Sequence, residues 1–221
     1  MVQLAMPFQA PHPHLPAIQA THFEVARIHD QPPAIGQDER RMQVRAYNLW
    51  ADLLADRCFP AASFIRSRKD FDYIEEPDIF HEVFGHTPLL TDPRFAGFSQ
   101  AIGAAGLKAA KEDYACLIRL YWFTIEFGLT QEAGKMKGLG SGLASSISEL
   151  EWATSGRPEL RRFDVIDILR TPYRIDILQP VYFVIEDLAD LFAAAGRDLL
   201  ADVAQARALG LHPPKYPPKV A

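Results

Sequence analysis

Two histidines and one carboxylate are the residues of this chain whose types and surroundings best suit chemistry. His81 and His86 stand five apart in Glu76-Pro77-Asp78-Ile79-Phe80-His81-Glu82-Val83-Phe84-Gly85-His86-Thr87-Pro88. On an unbroken α-helix that offset turns two side chains about 140° apart, so the rings would diverge. Gly85 changes the expectation, because a glycine near a helix end commonly adopts the left-handed conformation that stops it. Pro88 does not prolong a helix. The spacing therefore predicts His81 on a last turn and His86 just past it, with the two rings converging. It is not the spacing of a helix-borne zinc pair, whose histidines stand four apart. Two packed core imidazoles are the competing reading of the pair.

Glu126 lies in the most apolar stretch, Leu117-Ile118-Arg119-Leu120-Tyr121-Trp122-Phe123-Thr124-Ile125-Glu126-Phe127-Gly128-Leu129. A buried carboxylate is costly unless it is paired, hydrogen-bonded or bound to a metal. Arg119, nearly two turns back, could pair with it along one face. Trp122 precedes Glu126 by four and shares its face, and an aromatic wall beside a carboxylate suits an apolar pocket better than a surface ion pair. Two neutral imidazoles and one carboxylate are the ligand set of non-haem Fe(II) oxygenases, a set that leaves coordination positions open. Gly138, Gly140 and Gly142 alternate, but they lack the Lys-Ser/Thr ending of a phosphate loop. A backbone that must approach its neighbours closely explains them better.

The chain that must position these groups has 221 residues, of which 48% are hydrophobic and 23% charged. That composition is close to the average for globular domains and excludes disordered, collagenous and coiled-coil chains. A net charge of −5 argues against nucleic acid and anionic membranes as partners. No apolar run approaches the ~20 residues of a membrane span. Cys58 and Cys116 are too few for a disulfide framework and read as reduced thiols, so the expected location is the cytoplasm.

The periodicity between the ends is mainly helical. Helices are expected over 38–56, 107–129, 185–209 and around 78–85. Short extended pieces are expected near Phe59–Ile65 and Tyr173–Val184, the second limited by Pro180. Six of 17 prolines fall in residues 1–33 and four more in the last nine, so both ends should be extended. His12, His14, His22 and His29 in the first stretch read as scattered surface residues rather than a metal tract. The expected fold is mainly α with a few short β-strands in a single compact domain.

At this point the sequence resembles a known family. The segments Pro77–His86 and Tyr121–Leu129 resemble the pterin-dependent aromatic amino acid hydroxylases, most closely the short bacterial phenylalanine 4-hydroxylases. The likeness runs from about Phe59 to Pro218 and takes in Phe64-Ile65-Arg66, Gly140–Ser146, Arg170–Phe183 and Leu211–Lys215. It divides the chain into a proline-rich N-terminal extension, 1–36, and a catalytic domain of the hydroxylase type, 37–221.

The resemblance implies an Fe(II) monooxygenase that hydroxylates the ring of an aromatic L-amino acid, phenylalanine to tyrosine, with O2 and a tetrahydropterin. His81, His86 and Glu126 match its iron ligands. Arg66 matches the arginine that holds the substrate carboxylate, a task that suits a bidentate guanidinium. Pro77, Trp122 and Phe127 match the apolar lining of the amino-acid pocket, and Gly142 and Ser145 match a loop beside the substrate. Glu149 matches an acid supporting that loop, with an ordinary helix acid as the alternative. Glu82 and Tyr121 match positions near both iron and pterin, in catalytic and cofactor-binding roles. Counting back without gaps from Phe59-Pro60 puts Trp50 where the family stacks a phenylalanine on the pterin. The family's pterin-wrapping loop is replaced by the charged segment Gln37–Arg45. Other readings keep the iron site but change substrate, ring position or reductant, or make the chain a non-catalytic metal- or ligand-binding homologue. The resemblance leaves no room for a regulatory domain or tetramerisation helix, so a monomer or weak dimer is expected.

Overall fold

The computed structural model describes residues 24–27, 48–62, 64–72 and 77–217, the first of these as backbone only. In chain order, strand β1 (Glu24–Arg27) pairs in parallel with β2 (Cys58–Ala61), and helix α1 (residues 48–55) lies between them. Next come α2 (Ile79–His81), a π turn over Glu82–His86, α3 (Thr87–Leu90) and α4 (Pro93–Lys108). Helix α5 (Tyr114–Tyr121) runs into a second π turn over Trp122–Glu126. The hairpin β3 (Leu129–Glu132) and β4 (Lys135–Gly138) follows, then α6 (Ser141–Ala144), α7 (Ile147–Thr154), β5 (Glu159–Arg162) and α8 (Val165–Arg170). Strand β6 (Val181–Ile185), α9 (Leu188–Ala194) and α10 (Leu199–Leu209) complete the order.

The mainly helical expectation holds. Four strands form a sheet in the order β4-β3-β6-β5, antiparallel at the hairpin and parallel elsewhere. Strand β6 reads Val-Tyr-Phe-Val-Ile and is buried throughout, as a central strand flanked by parallel neighbours should be. Its alternation feeds two cores. Val181, Phe183 and Ile185 join the larger cluster with Phe98, Ile102, Leu117, Leu120 and Ile168. Tyr182 and Val184 join a smaller one with Phe127, Leu129 and Leu143. The second π turn lies between them, with Phe123 and Ile125 in the larger cluster.

Several boundaries differ from the sequence expectation. The helix expected over 107–129 is the tail of α4, two extended residues at Ala109 and Ala110, a 3-10 turn and then α5. The apolar period crosses the break because α4 and α5 bury their stripes in one core. The stretch 185–209 begins in β6 and then divides into α9 and α10, with Asp187 and Asp198 each capping a new helix start. Of Tyr173–Val184 only the part after Pro180 is strand, and the Pro180 carbonyl accepts from Glu159 N–H at 2.9 Å to start the β5 pairing. The extended piece expected at Phe59–Ile65 is strand only as far as Ala61. Of the expected helix 38–56, the part before residue 48 lies outside the described residues. So do most of the 1–36 extension, its four histidines and the segment 37–45. The C-terminal stretch 211–217 is neither helix nor strand and is docked, His212 N–H bonding the Arg170 carbonyl and Arg174 the Pro217 carbonyl.

Candidate metal centre

The candidate ligands lie in or directly before two π turns. Thr87 N–H bonds the Glu82 carbonyl, and Phe127 N–H bonds the Trp122 carbonyl at 2.8 Å. In such an i→i+5 turn, residues five apart come nearly over one another. That is how His81 and His86 converge, and it corrects the expected route. Gly85 is helical rather than left-handed, and Pro88 sits in the first turn of α3. Gly85 is needed for space instead: a Cβ there would stand 2.7 Å from the Ser141 Cβ. The same geometry sets the Trp122 ring against Phe127, at 4.3 Å between centroids. Arg119 does not serve as Glu126's partner; it donates to the Leu169 carbonyl.

The Nε2 atoms of His81 and His86 lie 2.9 Å apart. A Glu126 oxygen is 3.0 Å from His86 Nε2 and the other 3.4 Å from His81 Nε2. Two imidazole lone pairs and a carboxylate aimed at one point fit a cation. His81, Glu82 and His86 also bring ligand-type atoms within 4.8 Å of one another, so Glu82 competes for the carboxylate position. Glu126 is the better ligand. Glu82 stands 3.9 Å from His86 Nε2, and burial raises its pKa despite both histidines. Burial also works against the Glu126 charge, but His86 and the hydrogen bonds from both imidazoles hold it well below the usual carboxylate range. His81 shifts upward: burial pulls it down, and the Glu126 hydrogen bond and charge override that.

Outside these groups, Ser145 Oγ meets His81 Nδ1 at 2.7 Å, so this serine orients a candidate ligand. Phe59 covers the His86 ring at 4.5 Å, and Tyr121 stacks on it more distantly at 6.2 Å. The Tyr121 hydroxyl is buried near Ser99 and pushed well above an ordinary phenol by burial, then by the Glu126 charge. Trp50 is half-buried and meets Tyr121 edge-on at 5.2 Å. Glu82 Oε2 is buried without a hydrogen-bond partner among the described residues, a polar atom that a bound group could satisfy.

Arg66 is held in place by other groups of the protein. Its fork is occupied: Nε and Nη2 bond both oxygens of Asp78 at 3.0 and 2.7 Å, and Nη1 bonds the Ser145 and Phe71 carbonyls. Of five guanidinium donors, four are engaged among the described residues. A bidentate grip on a substrate carboxylate would require Asp78 to let go. Asp78 also caps α2 through His81 N–H. Its pKa is held at about 2, because hydrogen bonds from Arg66 and from the backbone outweigh the upward push of burial.

Trp122 lies between Phe127 and Tyr173, the latter nearly parallel at 4.4 Å. Phe127 also packs in the smaller core cluster. Pro77 is exposed, at the entry to α2. Gly140 and Gly142 let their loop lie on the ligand segment: added Cβ atoms would stand 2.1 Å from the Glu126 carbonyl oxygen and 2.7 Å from Phe127. Glu149 is fully buried and accepts from Gln179 N–H and the Tyr182 hydroxyl, so it is no ordinary helix acid. Sequence reasoning assigned no role to Asp78, Ser141, Tyr173 or Gln179. Only Asp78 carried a local signal, a capping residue ahead of an apolar run.

The chain belongs to the biopterin-dependent aromatic amino acid hydroxylase family, whose pattern matches residues 45–200, well over half of its length. Its fold is that of the family's catalytic domains. It is 50% identical over 175 residues to the phenylalanine-4-hydroxylase of Pseudomonas aeruginosa, covering 79% of this chain and 67% of that protein. In several other curated relatives the match spans only about half of their length. The apo structure of the cold-active phenylalanine hydroxylase from Colwellia psychrerythraea superposes with a TM-score of 0.78 at 43% identity, covering 89% and 72% of the two chains. The Chromobacterium violaceum phenylalanine hydroxylase with bound oxidized Fe(III) superposes at 0.73 with 35% identity, covering 87% and 66%.

Proposed function

We propose that this chain hydroxylates the ring of L-phenylalanine to give L-tyrosine, using O2, Fe(II) and a tetrahydropterin. The observation that carries this reading is the convergence of His81, His86 and Glu126 on one point from two π turns. In it His81, His86 and Glu126 hold the iron, which together with the pterin supplies O2 activation when bound. Ser145 fixes the His81 tautomer by engaging Nδ1. The Trp122, Phe127 and Tyr173 rings give the substrate an aromatic wall, and with Gly142 and Pro77 they exclude water from its ring. The Arg66 N–H not engaged among the described residues receives the substrate carboxylate, with Asp78 keeping the guanidinium in place. Trp50 offers an indole for the pterin to stack on, and Tyr121 links that indole to His86. Glu82 presents its unpartnered oxygen toward the same space. No helix among the described residues is long and apolar enough to cross a membrane. Among the described residues neither Cys58 nor Cys116 is in a disulfide, which suits a reducing compartment, so the cytoplasm is the proposed location.

Anaerobic loading with Fe(II), followed by turnover of phenylalanine, tyrosine and tryptophan with and without a tetrahydropterin, tests this reading. The expected product is para-tyrosine, formed from phenylalanine only when pterin is present. Product from tryptophan or tyrosine alone would change the substrate. Iron binding without turnover of any of the three would make the chain a non-catalytic metal binder.

A further inference from the structure

The three candidate ligands are supported unequally. Ser145 clasps His81 at Nδ1, whereas His86 Nδ1 is buried with no hydrogen-bond partner among the described residues. Apart from the two imidazoles, the carboxylate of Glu126 is met by one described side chain. That is the Ser141 hydroxyl, 2.7 Å from Oε2. Ser141 is fully buried and begins α6.

We infer that Ser141 is a positioning residue that ties Glu126 down by Oε2, leaving Oε1 as the oxygen offered to a metal ion. The inference rests on the ligand assignment proposed above. A hydroxyl has one proton, and three acceptors surround this one: Glu126 Oε2 at 2.7 Å, the Ile125 carbonyl at 3.1 Å and His86 Nε2 at 3.2 Å. His86 Nε2 donates to Glu126 without a metal and would give its lone pair to a metal ion, so in neither state does it take the Ser141 proton. Between the remaining two, the carboxylate is nearer and anionic, and charge-assisted hydrogen bonds are roughly twice as strong as neutral ones. The proton therefore goes to Glu126.

The backbone makes Ser141 the fixed partner of that bond. Its Cβ lies against Gly85 of the first π turn, where any added side-chain carbon would stand 2.7 Å away. The preceding Gly140 rests on the Glu126 carbonyl of the second, where a Cβ would approach to 2.1 Å. Wedged between both ligand-bearing turns, Ser141 cannot follow a wandering carboxylate. A carboxylate with one oxygen engaged binds through the other and leaves a coordination position open, as this ligand set requires.

Ser141→Ala and Ser141→Gly test the inference, both removing the hydroxyl without adding bulk or a new metal ligand. Apoprotein is titrated anaerobically with Fe(II), and separately with Co(II), whose visible bands report coordination number. Both variants should bind each metal about 10- to 100-fold more weakly. Their Co(II) bands should shift in position and intensity, while the apo melting temperature of Ser141→Ala stays near that of the parent. Either folded variant with parental affinity and parental Co(II) bands overturns the inference; if Ser141→Ala does not fold, Ser141→Gly decides it. Glu126→Gln is measured alongside. If it loses metal while the serine variants do not, the role of Ser141 alone falls. If it keeps parental affinity, the ligand assignment falls and this inference with it.

Discussion

The turn Glu82–His86 has solvent on its outer side, where Val83 and Phe84 are exposed, whereas Trp122–Glu126 is enclosed, with Phe123, Thr124 and Ile125 at most 2% accessible. The backbone device is the same in both. The first turn is held by directed polar bonds: Asp78 caps the helix leading into it, Ser145 holds His81, and Ala62 N–H reaches Glu82. The second is held by packing, with Phe123 edge-on to Phe183 at 5.2 Å and Ile125 in the same cluster. Hydrogen bonds fix direction, and dense packing fixes position. A histidine that must present one nitrogen needs the first, and a carboxylate carried into the core needs the second.

If that contrast is right, the largest loss of stability should come from the packed turn. Phe123→Ala should cost ~3–5 kcal/mol in denaturant unfolding, the usual range for emptying a buried aromatic site. A cost below about 1 kcal/mol would show that packing does not hold the second turn.

Asp78→Asn strikes the polar turn and leaves a buried Arg66 without its counter-charge, at about 3 kcal/mol. The acid limb of the stability curve isolates the charge. The Asp78 pKa is depressed from 3.8 to about 2 on folding. Its stabilisation is therefore complete above pH 3.8 and is lost as pH falls toward 2. Unfolding free energies measured across that window should fall in the parent more steeply than in Asp78→Asn. Equal slopes would detach Asp78 from the polar support of this turn.

The smallest effect belongs to Ser145→Ala. Fe(II) affinity should drop about 10-fold, at the lower end for a lost partner of a ligating histidine. The melting temperature should barely move, because the Ser145 carbonyl still accepts from Arg66. A large loss of stability with unchanged iron affinity would reverse the comparison at this residue.

The sequence made the donor set legible because buried-looking His and Glu in an apolar context have few physical excuses. It misread how they meet. A π turn adds a single residue to a helix, too little to disturb a hydrophobic period, so Gly85 was expected to stop the helix and Trp122 to face Glu126. The hairpin Leu129–Gly138 carries no strand signal, because Gln131, Glu132, Lys135 and Lys137 are exposed and lack the β-branched alternation that marks a half-buried strand. The left-handed Ala133 in its turn is an unusual choice as well. The split of 185–209 stayed hidden because α9 and α10 contribute to one core and share a period across the break.

What the chain determines by itself is local. The apolar run of β6, the aspartates that start α2, α4, α8, α9 and α10, and the inventory of imidazole, carboxylate and guanidinium are all written in order along it. Which carboxylate faces the imidazoles, whose oxygen fills the Arg66 fork and which serine touches Glu126 are relations between groups 12 to 79 residues apart. No spacing rule reaches across such distances. They are decided when two π turns and a glycine-lined loop close on one point, since only close packing can select one partner among several of the same chemistry.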